Sequence, residues 1–160
     1  MTNRKTRAQP NCSIARTLEA VGDRWSFLIL REAHNGITRF GDFAALLGIA
    51  PNVLTSRLAS LVDAGILEKR SYQEEGARTR YSYHLTPSGR DLKVVLGALQ
   101  QWGDAHVPRP GGPTVIRRDT ATGEDLAVAF VDADGRAVDD DEVVFEPVPG
   151  GPADRYAAWR

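Results

Sequence analysis

The chain has 160 residues, 42% hydrophobic and 26% charged, the balance of a soluble globular protein with one domain or a domain plus a small appendage. No apolar run approaches the ~20 residues of a membrane-spanning helix. The basic start "MTNRKTRAQPN" has no apolar stretch behind it and is not expected to be a signal peptide, so a cytoplasmic protein is the default, and the single cysteine excludes an internal disulfide or a cysteine-based zinc site within one chain.

In chain order, residues 1–10 are polar and basic and are expected to form a disordered arm. "CSIARTLEAVG" carries Ile14, Leu18 and Val21 at helical spacing, with Asn11 as cap and Gly22 as stop. Asp23 caps a second helix, "RWSFLILREAHNG", in which Trp25, Leu28, Ile29 and the pair Glu32-Ala33 repeat at three and four residues. "TRFGDFAALLG" reads as a short third helix, capped by Thr38, with Phe40, Phe43, Leu46 and Leu47 inward. After the turn "GIAP", a fourth helix begins at Pro51, a residue suited to the first turn because no partner is needed there for its missing N–H. Leu54, Leu58 and Leu61 form its buried stripe, and Gly65 should stop it. "ILEKRSY" and "TRYSYHLT", separated by "QEEGAR", read as a β-hairpin. Thr86-Pro87-Ser88 starts a last helix with the stripe Leu92, Val95, Leu96, Leu99 and Trp102. The cluster "HVPRPGGP" is the clearest boundary in the chain. Three short β-like runs follow, "TVIRRD", "DLAVAFV" and "EVVFEPV", split by "TATG" and "DADG", and read as two hairpins or a small three-stranded sheet. The expected organisation is thus an arm, a helical domain over 11–107 and an acidic β extension over 108–160.

Charge follows the same division. Up to Pro110 there are 15 Lys+Arg against 10 Asp+Glu, and from Gly111 on there are 5 against 11. The basic part suits a polyanion, and the acidic turns would repel one or contact the basic part; the other reading is two solvated surfaces of opposite sign.

Two short helices joined by a tight turn and followed by a hairpin form the winged helix-turn-helix plan, here an α+β fold with added dimerisation helices and a small C-terminal β appendage. In that plan the helix from Pro51 enters the major groove. Its outer face offers Asn52, Thr55, Ser56, Ala59 and Ser60, small groups that allow close approach and hydrogen bonding to base edges. Arg39, Arg57, Arg78 and Arg80 surround it as phosphate candidates. Arg57 has a competing use in an internal ion pair, with Asp63 or a neighbouring helix. Glu74 and Glu75 at the hairpin tip oppose phosphate binding. The three histidines are scattered with no carboxylate or serine constellation, and no glycine-rich phosphate loop occurs, so an enzyme is not expected. The cluster "VDDDEVV" with Asp132 and Asp134 lacks the ligand register and closing glutamate of a calcium loop. No metal or cofactor is expected.

From Cys12 to about Gly103 the chain resembles the HxlR-type regulators, a branch of the MarR-like winged-helix transcription factors. The resemblance is carried by the N-terminal cysteine, "AVGDRWSFLILRE", "RFGDFAALLGIAPNVLTSRLASLVDAGILEKR" and "RYSYHLTPSGRDL". It implies a homodimer on palindromic double-stranded operator DNA, with an interface built from the first helix and the helix after the wing. Ile14, Leu18, Leu99, Trp102 and Val107 are the interface candidates, with packing inside the monomer as the other reading. Some members of the family sense oxidants through the N-terminal cysteine. Cys12 falls there, in the first helical turn with Arg16 one turn on; as a plain small residue it would merely start the helix. Some relatives end in a cysteine-bearing zinc knuckle, whereas the matching turns "TATGED" and "DADGRA" contain no cysteine, so an extension without zinc is expected. Trp25, Phe27, Trp102 and Phe130 are candidates for a small-molecule effector pocket or for plain core. The competing function is a winged helix that makes only protein contacts.

Overall fold

The computed structural model describes residues 12–73, 76 and 78–151. The arm over residues 1–10, the capping role of Asn11 and the placement of Glu74 and Glu75 lie outside them. The elements run α1 (Ser13–Val21), α2 (Arg24–His34), α3 (Phe40–Leu47), α4 (Pro51–Asp63), β1 (Leu67–Tyr72), β2 (Arg80–Leu85) and α5 (Pro87–His106). In the extension follow β3 (Phe130–Val131), β4 (Ala137–Val138) and a 3₁₀ turn at Asp140–Glu142. This is the α+β helix-turn-helix-plus-hairpin order expected from the sequence.

The core lies under α4. Leu54, Leu58 and Leu61 are fully buried, against Val21, Ile29, Leu30, Phe43, Ile49, Ile66 and Leu67. Each such burial is worth about 1.5–3 kcal/mol relative to exposure. Gly48 closes α3 in the left-handed conformation at φ 59°, which favours glycine, and its N–H satisfies Ala44 O. The next residue, Ile49, drops into the core, and Ala50 caps α4. The turn between the two helices is therefore held from inside.

Several local expectations are corrected. In α2 the buried positions are Ser26, Ile29, Leu30 and Ala33; Trp25 is only partly buried. Ser26 is tolerated there because its hydroxyl donates to Asp23 Oδ2 at 2.5 Å. Leu46 is 59% exposed rather than inward. The cap of α3 is Arg39, not Thr38, because the chain before α3 runs extended beside the hairpin: Tyr83 N donates to Thr38 O at 2.7 Å, and Arg39 bridges Ser82. The hairpin pairs in register from Leu67↔Leu85 to Tyr72↔Arg80, so this contact gives it one rung of a third strand. α1 begins at Ser13, one residue later than expected, with Cys12 as its cap.

The extension holds two small hairpins, one closed by an Arg118↔Asp125 bridge and one by Phe130↔Val138 and Val131↔Ala137. The run "EVVFEPV" forms no strand. The extension attaches to α5 through side chains. Gln101 Nε2 donates to Val128 O at 2.9 Å, and its Oε1 accepts from Val128 N at 2.8 Å. Gln100 Nε2 donates to Val115 O at 2.7 Å. A Cβ on Gly97 would come within 3.1 Å of Val128 Cγ2, so the missing side chain admits the extension.

Asp23 ties α2 to α4. Its Oδ1 accepts from Trp25 N at 2.9 Å and Ser26 N at 3.1 Å, and Arg57 Nε of α4 lies 3.4 Å away. Burial pushes the Asp23 carboxyl up, but the Ser26 hydroxyl and N–H, the Arg57 guanidinium and the Trp25 N–H outweigh it and hold the carboxyl below its ordinary value of 3.8. A depressed folded-state value contributes stability that is present above the unfolded value and is lost as pH falls through the folded one. Asp23→Ala should therefore lower the unfolding free energy in urea by about 1–2 kcal/mol at pH 7, and the deficit should narrow below pH 3.8. A deficit that stays constant down to pH 3 would contradict this. Separately, Gly97→Leu should raise the helix propensity of α5 yet detach the extension. Trypsin should then cut at Arg117 or Arg118 faster than in the wild type, with helical circular dichroism retained.

Candidate nucleic-acid interface

The outward side of α4 is free of packing because its inner leucines consume the buried face. Asn52, Thr55, Ser56, Ala59 and Ser60 are all exposed on it. Thr55 Oγ1 donates to Pro51 O at 2.8 Å, and Ser60 Oγ to Ser56 O at 3.0 Å. Pro51 stands at the first helical position, exposed, and sets the entry of the helix. Hydroxyls that bond back to the preceding turn lie close to the helix and leave its outer surface low.

The hairpin supplies the cationic rim. Arg78 is exposed in the loop, and Arg80 opens β2 opposite Tyr72. Between the hairpin and the start of α3 lies an open groove of about 490 Å³ lined by Arg39, Phe40, Asp42, Tyr72, Arg80 and Tyr81, among others. The Arg39 guanidinium stacks 4.9 Å from the Tyr72 ring, and Lys69 Nζ sits 3.7 Å from the Tyr81 ring. Tyrosine faces here hold the two cations. Lys69, Tyr72 and Tyr81 were not singled out from the sequence. The cross-strand register that pairs Ser71 with Tyr81 and Tyr72 with Arg80 was the missing signal. Arg70 is paired with Glu68 on its own strand.

Arg57 takes the internal role. It faces Asp23, at the cap of the neighbouring helix, and not Asp63. The pairing runs through Nε, 3.4 Å from Asp23 Oδ1, and leaves the Arg57 side chain 39% exposed.

α5 divides into three sides. Leu92 and Leu96 pack on the core, and Gly97, Gln100 and Gln101 receive the extension. Val95, Leu99 and Trp102 remain exposed, with Trp102 tilted against the His106 ring at 5.1 Å between centroids. Val107, just past the helix, is exposed as well, as are Ile14 and Leu18, one turn apart on α1. None of these five interface candidates is core within the chain: Leu99 and Trp102 are 50% and 61% exposed, and Ile14 is 68% exposed.

The four effector-pocket candidates do not share one environment. Trp25 and Phe27 pack against the core, Trp102 lies in the open strip of α5, and Phe130 meets Phe145 edge to face in the extension. None of them lines the groove beside the hairpin. Cys12 is exposed at the cap of α1, and Arg16 Nη2 donates to Ser13 Oγ at 2.8 Å. Among the described residues no three His, Cys, Asp or Glu side chains gather as metal ligands, and no helix is long and apolar enough to cross a membrane.

The model of the HxlR-like helix-turn-helix family matches residues 20–110. An uncharacterized HTH-type transcriptional regulator of Mycobacterium tuberculosis is 41% identical over 139 residues, 86% of this chain and 87% of its own length. A match of that length cannot fit within residues 1–110, so the likeness includes part of the extension. Among solved structures, PA1607, described as a candidate transcription factor, superposes with a TM-score of 0.75 at 32% identity, covering 86% of this chain and 96% of that one. The redox regulator HypR in its reduced form superposes with a TM-score of 0.55 at 25% identity, covering 60% of this chain and 94% of that one.

Proposed function

The chain belongs to the HxlR-like helix-turn-helix family and is a transcriptional regulator, not an enzyme, and from that premise we propose that it binds a palindromic operator as a homodimer. The observation that carries this reading is the exposed hydrogen-bonding face of α4 in a fold whose hairpin groove is lined by Arg39 and Arg80. In the proposed complex Asn52, Thr55 and Ser56 face the bases, Pro51 fixes the helix entry, and Arg39, Arg78 and Arg80 contact phosphates. Arg57 holds α4 against Asp23. The protein works where chromosomal DNA is, in the cytoplasm.

The open strip of α5 and the Ile14–Leu18 strip of α1 support the dimer. Apolar side chains on two helices, none of them buried within one chain, suit an isologous contact in which each subunit offers the same patch. Cys12 lies two residues before Ile14, so oxidation or capping of its thiol would act beside that contact, and a small-molecule effector would bind where the dimer helices meet the extension.

Fluorescence anisotropy with genomic duplexes over a range of salt tests the DNA reading. Affinity should fall steeply with salt through counterion release. Arg80→Ala should weaken all sequences alike and lower the salt slope by about 1. A flat salt dependence would favour the protein-contact module instead. For the dimer, Leu99→Asp should give a monomer in sedimentation equilibrium at micromolar concentration, with its helical content retained. An unchanged mass would remove α5 from the interface.

A further inference from the structure

The outer face of α4 offers fewer hydrogen-bond donors than its composition implies. A threonine hydroxyl has one proton and two lone pairs, and Thr55 gives its proton to Pro51 O at 2.8 Å. What Thr55 turns outward is its methyl group and acceptor capacity. Ala59, one turn on and also exposed, adds a second methyl in the same column. Asn52 lies in the first helical turn, where recognition helices make base contacts. Its amide is exposed and forms no hydrogen bond among the described residues.

The cations are equally informative. Guanine is read in the major groove by paired donors from arginine or lysine, adenine by an asparagine or glutamine amide, and thymine by apolar contact with its C5 methyl. α4 contains one cationic residue, Arg57, and it faces Asp23. The first two turns of α4 contain no carboxylate to accept from cytosine N4. The face is therefore equipped for A·T pairs and lacks the free cations and carboxylates that single out G·C pairs, while the Ser56 hydroxyl can meet either.

We propose that α4 reads A·T pairs in each operator half-site: Asn52 takes an adenine edge through N6 and N7, and the methyls of Thr55 and Ala59 pack against thymine methyls. The Thr55 hydroxyl is not a donor to DNA. This assignment rests on the operator-binding reading above.

Selection from a random duplex library with the full-length protein tests it, followed by anisotropy on the selected duplex. The wild type should enrich A·T pairs in the half-sites, and Asn52→Ala should lose its adenine preference by roughly tenfold. Thr55→Val keeps the outward methyl and should select the same sequence. Thr55→Ser removes that methyl from both subunits and should bind the selected duplex roughly fifteenfold more weakly, about fourfold per half-site. Replacing the contacted thymine by deoxyuridine should weaken the wild type by a similar factor and leave Thr55→Ser indifferent. A G·C half-site at these positions, or a preference lost in Thr55→Val and kept in Thr55→Ser, would overturn the base assignment while leaving operator binding intact. No enrichment by the wild type would overturn the operator reading, and this assignment with it.

Discussion

The burial of one side of α4 is the constraint on which the rest of the structure depends. Leu54, Leu58 and Leu61 are wholly enclosed, and they fix both the depth and the rotation of the helix. Rotation by a quarter turn would expose a leucine and bury Asn52 or Ser56 without partners, each an unfavourable change. α2 supplies the other half of the contact through Ile29, Leu30 and Ala33, and Ile49 seals the turn below. The hairpin then starts directly from the same core, with Ile66 and Leu67 buried before β1 turns outward. The relation between the exposed face of α4 and the arginines of the hairpin is thus inherited from a single packed centre.

A second tie acts where packing alone would leave play. Asp23 caps α2 and faces Arg57, so the start of one helix is fastened to the middle of another. The pair is part-exposed, and its worth as an ion pair is modest. Its geometric effect is larger, because it joins the α1–α2 corner to the helix that carries the proposed reading surface. A change at α1 therefore has a short physical route to α4.

The sequence made most of this legible where one periodicity dominates. The leucine stripe of α4, the proline at its start, the hairpin strands and the Thr86 cap of α5 all stand where spacing and capping rules place them. The rules failed where tertiary contacts override local ones. Thr38 has the chemistry of a cap, yet its carbonyl is drawn into a rung with Tyr83. Leu46 fits a helical stripe, yet α3 is too short and too peripheral to bury it. Arg57 could be read as a phosphate ligand or an ion pair because its partner lies 34 positions away in sequence, in the cap of another helix. The hairpin groove was invisible for a similar reason: Arg39 and Tyr72 meet only through the fold.

The attachment of the extension has a consequence for how the molecule tolerates its surroundings. Gln101 receives Val128 as a strand edge would, with a neutral donor and a neutral acceptor side by side, and Gly97 adds close contact without charge. These neutral contacts respond little to ionic strength, whereas the ion pair of Arg117 Nη1 with Asp104 Oδ2, 4.0 Å apart across the same joint, is screened by it. The extension is thus held on α5 mainly by amides and close packing, with the part-exposed ion pair of Arg117 and Asp104 beside them. A rise in salt that loosens that ion pair leaves the amide bonds and the close packing that seat the acidic appendage on α5.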